Sequence, residues 1–178
     1  GNVGTNDEDH ESDKIWTKGV IFNAEITSPS NYRALKNLDL WLKKHKIVGL
    51  TGIDTRSLTN FIRDKGAPKG TIEINKNGKL NIKKLHNKSV KWHGLNGLDL
   101  AKNVSTKSKY NWNNLKTWKK EFGFQKNKKK KFNIIAIDYG IKKNILRYFS
   151  NHSCKITVVP CDTSAYDINK LKPDGVFL

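Results

Sequence analysis

The chain has 178 residues, of which 36% are hydrophobic and 10% aromatic, and it carries a formal charge of +18. That apolar content supports a core and excludes wholesale disorder, and the length leaves room for one sizeable domain or two small ones. No apolar run reaches the length of a bilayer crossing, and the charge, although it suits an anionic partner in principle, is carried by only four Arg among 34 cations, with the other cations all Lys.

In chain order, "GNVGTNDEDHES" opens the sequence with a cluster of acids; residues 1–40 hold 4 basic and 7 acidic side chains, against 28 and 6 in residues 41–160. This segment does not look like a start, and the chain contains no Met. The reading here is therefore a piece of something longer. "SPSNYRALKNLDLWLKKHKI" predicts a helix with Ser30 as cap, an apolar stripe of Leu35, Leu38 and Leu42, and cations in the last turn. "IVGLTGI" (47–53) reads as a short strand. "DTRSLTNFIRDKGA" reads as a helix capped by Asp54 or Thr55, with Leu58, Phe61 and Ile62 on its stripe and Gly66 at its stop. "GTIEI" (70–74) predicts a strand, Asn77-Gly78 a turn, and the Lys-rich stretch after it has no firm assignment.

"HGLNGLDLAKNVS" predicts a turn at Gly94 and Gly97 leading into a short helix. A G-x-x-G loop also occurs in the KH module, which clamps a nucleic-acid backbone between two helices; the residues before Gly94 show no persuasive helix, so that reading is set aside. Tyr110, Trp112, Trp118, Phe122 and Phe124 lie among lysines. Stacking on single strands is one use of such a mixture, but aromatics covering a core edge while lysines stay wet is the preferred reading. "QKNKKKK" (125–131) reads as an exposed linker.

After it the pattern changes. "FNIIAID" (132–138) is a strand of the kind buried on both faces, followed by a helix with Ile141, Ile145, Leu146 and Phe149 inward. "KITVVP" is a second strand, "TSAYDINKLKP" a helix capped by Thr163 or Ser164, and "DGVFL" a third strand. This β-α-β-α-β order predicts a parallel sheet, with any ligand at the carboxyl ends of its strands.

Candidate chemistry is sparse. Asp138, Gly140, Lys142 and Lys143 follow the first strand, where a helix N-terminus can hold a phosphate, but the dinucleotide spacing of glycines is absent. Cys161 follows the second strand without a nucleophile elbow around it, and reads as inert. Cys154 and Cys161 match neither a zinc pair nor C-x-x-C, and two cysteines imply no disulfide scaffold, which suits a reducing cytoplasm. His10, His45, His86, His93 and His152 have no ligand spacing, so no metal site is expected.

Six strings, taken together and in order, carry a resemblance: "GNVGTNDEDHES", "IVGLTGIDTRSLTNFIRDKGAPKG", "GLNGLDLAKNVS", "IAIDYGIKKNILR", "ITVVPCDTSAYDI" and "KPDGVFL". The chain resembles the small, glutamine-hydrolysing subunit of carbamoyl phosphate synthetase over its whole length. The resemblance implies an α/β protein with a mixed α/β (β/β/α-like) domain over 1–126, lacking its opening strands. A Lys-rich linker over 127–131 would follow, then over 132–178 the first βαβαβ part of a flavodoxin-like, class I glutamine amidotransferase domain. The family is a ligase of arginine and pyrimidine biosynthesis. Its Cys attacks the glutamine carboxamide, a His and a Glu assist, and ammonia passes to a large subunit that uses ATP, a divalent metal and bicarbonate. The family's Cys, His and Glu would lie beyond Leu178 and a glutamine-contacting Ser before Gly1. No catalytic, substrate-binding or metal residue and no cofactor is thus assigned to this chain, and it is expected to be inactive by itself, a cytoplasmic piece of scaffold that docks on the large subunit. Cut at "DGVFL", such a piece should expose an apolar strand edge and dissolve poorly. The alternative is a nucleic-acid-binding protein using 107–131; the scarcity of Arg stands against it.

Overall fold

Apolar segments shorter than a helical turn or two must find partners far along the chain. The folded molecule does this in two compact units, one of residues 1–9 and 16–98, the other of 10–15 and 99–178. A computed structural model describes residues 4–75 and 77–178; Gly1, Asn2 and Val3 of the opening motif lie outside the described residues.

In the first unit, β1 (Gly19–Ile21) and, after α1 (Leu38–Lys44), β2 (Val48–Leu50) form a two-stranded parallel sheet, with Gly19 opposite Val48 and Ile21 opposite Leu50. Parallel pairing needs a crossover connection, and α1 lies within it. Leu42 is the buried residue of α1, and its side chain reaches over Gly49 of β2. The predicted helix from Ser30 is corrected. Asn37, not Ser30, is the cap, accepting from Asp39 N at 2.7 Å, and Leu35 is 69% exposed. Residues 31–36 are held otherwise: Asn31 Oδ1 accepts from Arg33 N, Thr5 and Lys36 form an antiparallel bridge, and Arg33 pairs with Glu8 and Asp9. The short polar side chain of Asn31 competes with the helix, and the bridge finishes the competition.

The next helix, α2 (Thr55–Lys65), forms with Asp54 as the cap and Gly66 beyond its end at φ 81°, but Phe61 and Ile62 of its expected stripe stand exposed. The Ser57 backbone N–H and then its hydroxyl hold the exposed Asp54 carboxyl below its usual range. Residues 70–74 do not form the expected strand. Thr71 and Glu73 turn their side chains to α3 (Ile82–Lys91), with Thr71 Oγ1 and Ser89 Oγ 2.8 Å apart and Lys88 reaching Glu73 at 3.5 Å, while Ile72 lies against Gly19 of β1. The turn at Gly78 is present, its N–H donating to Asn75 O. Sequence reading missed α3 because its apolar residues are few. Its start is written in Asn81, whose side chain accepts from Lys84 N at 2.9 Å. Asn81→Ala should cost about 1 kcal/mol locally, seen as faster amide exchange across 82–91 with α2 unchanged.

A helix therefore does precede Gly94, correcting the ground on which the KH loop was set aside. The module is still not formed, since the sheet of this unit has two strands among the described residues. Gly94 and Gly97 adopt φ 88° and 77°, which an L residue resists.

The second unit begins with α4 (Leu100–Val104), capped by Asp99, and β3 (Tyr110–Asn111). Then come β4 (Phe132–Asp138), α5 (Lys143–Asn151), β5 (Cys154–Pro160), α6 (Ala165–Lys170) and β6 (Gly175–Phe177). The βαβαβ expectation holds. The sheet order is β3-β5-β4-β6, parallel except for β3, which runs antiparallel along β5. Alternation along the strands feeds two cores. Ala136, Ile156 and Val158 meet Leu146 of α5 on one face, and Ile135, Ile137 and Val159 meet Ile168 of α6 on the other. Of the expected inner stripe, Leu146 is fully buried and Ile141 and Phe149 pack beside it. Phe149 meets Phe177 edge-on at 5.3 Å, fastening β6 to α5.

Trp112 packs on the α5-side core and donates from Nε1 to Leu115 O, as expected of an edge-covering aromatic, whereas Phe122 is exposed. The lysines at 128–131 are exposed, but Asn127 is only 8% exposed and donates to Ser150 O at 2.6 Å.

Candidate functional site

The carboxyl ends of β4 and β5 are where a parallel sheet presents its chemistry. At the end of β4 stands Asp138, 7% exposed. One carboxylate oxygen accepts from Gly140 N and Ile141 N, both at 2.9 Å, and the other from Thr106 N at 2.7 Å. Gly140 is needed twice over: its φ is 98°, and a Cβ would come within 3.1 Å of Val104 Cγ2. At the end of β5, Cys161 N donates to Ser105 Oγ at 3.0 Å and Thr163 Oγ1 donates to Pro160 O at 2.8 Å. Ser105 and Thr106 thus tie the segment after α4 to the ends of two neighbouring strands. α6 begins at Ser164, whose hydroxyl settles the choice of cap by accepting from Asp167 N; the same hydroxyl, ahead of Lys170, draws the Asp167 carboxyl below its usual range.

In this arrangement Asp138 itself occupies the turn at Gly140, so the phosphate reading of Asp138, Gly140, Lys142 and Lys143 does not hold at the turn. The backbone N–H groups of 140 and 141 that would face a phosphate already face the carboxylate of Asp138, and Lys143 Nζ is paired with Asp13. Asp138 acts as a clamp for two loops. Its charge adds to burial in pushing the Tyr110 hydroxyl up, burial being the larger cause, with Asp13 contributing after it. Burial likewise raises the Cys154 thiol. Cys161 is half-buried, with its backbone engaged on both sides, by Ser105 and, at 3.4 Å, by the Tyr139 hydroxyl. No group of three or more His, Cys, Asp or Glu side chains suited to a metal occurs among the described residues.

Sequence reading missed two residues, Glu11 and Arg147. Residues 10–15 lie on the start of α5, where Glu11 accepts from Asn144 N at 2.8 Å and pairs with Arg147 at 3.2 Å. The signals were there: an acidic opening segment in a basic chain, and an Arg beside Leu146 and Phe149 in an apolar helix face.

Comparison with known proteins bears on the ends of these strands. The family model described as "Carbamoyl-phosphate synthase small chain, CPSase domain" matches residues 1–72. Proteins named carbamoyl phosphate synthase small chain align with all of the chain, at 48% identity in Bradyrhizobium diazoefficiens, 47% in Agrobacterium fabrum and 50% in Bartonella henselae. The chain is homologous throughout to carbamoyl phosphate synthase small chains. It spans about half of their length, 46% in each of these three. These alignments extend past the region of the family model and run through the β4–β6 segment. No helix among the described residues is long and apolar enough to cross a membrane.

Proposed function

We propose that the protein serves a glutamine-dependent carbamoyl phosphate synthase as its small chain, in which glutamine is hydrolysed and ammonia is passed to a large chain that consumes ATP and bicarbonate with a divalent metal. The observation that carries this reading is identity of 47–50% to named small chains over the full 178 residues. The parallel order β5-β4-β6 with helices on both faces supports the finer reading of 132–178 as the opening of a flavodoxin-like amidotransferase domain, since that fold begins with its first strand between the second and third. The division at 127–131 is then one of descent, whereas the compact units divide at 98/99.

Within this reading no residue of the chain attacks glutamine or holds a cofactor. Cys161 lacks a nucleophile elbow around it, and the reading gives it no catalytic role. The role of these residues is to hold the loops at the carboxyl ends of β4 and β5 and to present a surface to the large chain, in the cytoplasm, where carbamoyl phosphate feeds arginine and pyrimidine synthesis.

The test is co-purification with the large chain encoded in the same genome, alongside a glutaminase assay of the 178-residue chain. A stable complex and no glutamine hydrolysis are expected. Absence of a complex overturns the reading. So does sub-micromolar binding to single-stranded RNA with a steep salt slope, the mark of a lysine-driven nucleic-acid binder.

A further inference from the structure

The first N–H groups of a helix need acceptors, and an unfilled helix N-terminus attracts anions. The N-cap position of α5, Lys142, supplies no side-chain acceptor. Its place is taken by one residue from far away: Lys143 N donates to the backbone oxygen of Glu11 at 3.1 Å, and Asn144 N to its Oε2 at 2.8 Å. Glu11 Oε1 faces Arg147 Nη1 at 3.2 Å. The Arg147 side chain is 7% exposed, lies 4.6 Å from the centre of the Phe124 ring, and its Nε has no hydrogen-bond partner among the described residues. Lys143 pairs with Asp13 in the same short segment.

A buried guanidinium with a donor to spare, aimed at the carboxylate that covers a helix N-terminus, has the chemistry of an oxoanion site. One carboxylate satisfies only part of it. We propose that the N-terminus of α5 and Arg147 form an oxoanion site whose built-in occupant is Glu11, and that a free oxoanion of the phosphate class binds there when Glu11 is withdrawn, releasing residues 10–15. The inference stands apart from the proposed activity, since it uses only contacts within the second unit. Glu11 competes as a tethered ligand at an effective concentration in the millimolar range, so the free anion should bind the native chain at least about tenfold more weakly than a chain without Glu11.

The experiment follows thermal unfolding and amide exchange of the full chain in phosphate, acetate and chloride at matched ionic strength. Glu11→Ala should lose protection at Asn144 and across 10–15 in chloride, and should regain stability in phosphate with an apparent affinity at least about tenfold above that of the native chain. Acetate supplying the same recovery identifies a carboxylate site, and phosphate alone a site that prefers a tetrahedral anion; either supports the proposal. The double variant Glu11→Ala/Arg147→Met keeps apolar packing on Phe124 and should show no recovery beyond that of the native chain. Equal anion responses in the native chain and Glu11→Ala, or an undiminished response in the double variant, overturn the proposal, because surface lysines would then account for it. If Glu11→Ala does not fold in chloride, its folding in phosphate supports the site and its failure there overturns it.

Discussion

Replacing Asp138 with Ala should destabilise the sheet-bearing unit by roughly 3 kcal/mol or more, since a buried donor left without its acceptor costs about 1–3 kcal/mol. Three backbone N–H groups, those of Thr106, Gly140 and Ile141, depend on this one carboxylate. Water reaching the vacated space limits the loss, which is why the three costs do not simply add. Asp138→Asn keeps one acceptor oxygen and should lose less than the Ala variant. Urea denaturation followed by tyrosine and tryptophan fluorescence gives the comparison. Amide exchange at 106, 140 and 141 should accelerate in Asp138→Ala before any global change. A loss under about 1 kcal/mol, the size of an ordinary hydrogen bond, would mean the carboxylate is no clamp.

Leu146→Ala should cost about 2–5 kcal/mol, the range for emptying a fully buried Leu site. Leu146 lies at the centre of the α5-side core with Ala136, Ile156 and Val158, and has no route by which strands on one side and a helix on the other collapse into the gap. The matching control is Leu35→Ala. Sequence periodicity placed Leu35 on a helix stripe together with Leu38 and Leu42, yet it stands 69% exposed. Its removal should change stability by no more than about 0.5 kcal/mol. The pair separates a real core position from an apparent one, by urea midpoints under identical conditions.

Why one Leu was legible and the other was not is a matter of what each segment had to compete with. In 132–178 every local signal agreed: apolar runs of strand length, a helical stripe, a Ser cap and loops of a few residues. The expected elements therefore formed with little displacement. In 30–37 the periodicity was real but the ends were not. Asn31 bound its own backbone and Thr5 claimed Lys36, and neither event shows in a window of one helix. Residues 70–74 had strand composition, but Thr71 and Glu73 gave their side chains to α3, a helix hidden by its lysines. At the candidate site, Asp138 and Gly140 stood out in the sequence, but as an anion-binding turn. Thr106, which shows that the turn is filled from within, lies 32 residues earlier and carries no motif. Glu11 lies farther still from the helix it caps.

That last distance has a consequence for how the protein must assemble. Because residues 10–15 complete a unit otherwise made of 99–178, residues 16–98 amount to an insertion between two parts of one folding body. The second unit cannot be finished while the ribosome is still making it in order, since its first strand of contacts waits for α5. Closing the loop of residues 16–98, 83 residues, adds only a few kcal/mol of entropy, growing as the logarithm of its length, and a prefolded insert shortens the effective gap. The acidic opening segment is therefore expected to be the last piece to dock and the first to leave. Any excised version of the sheet domain that starts at Asp99 would carry a helix without its cap.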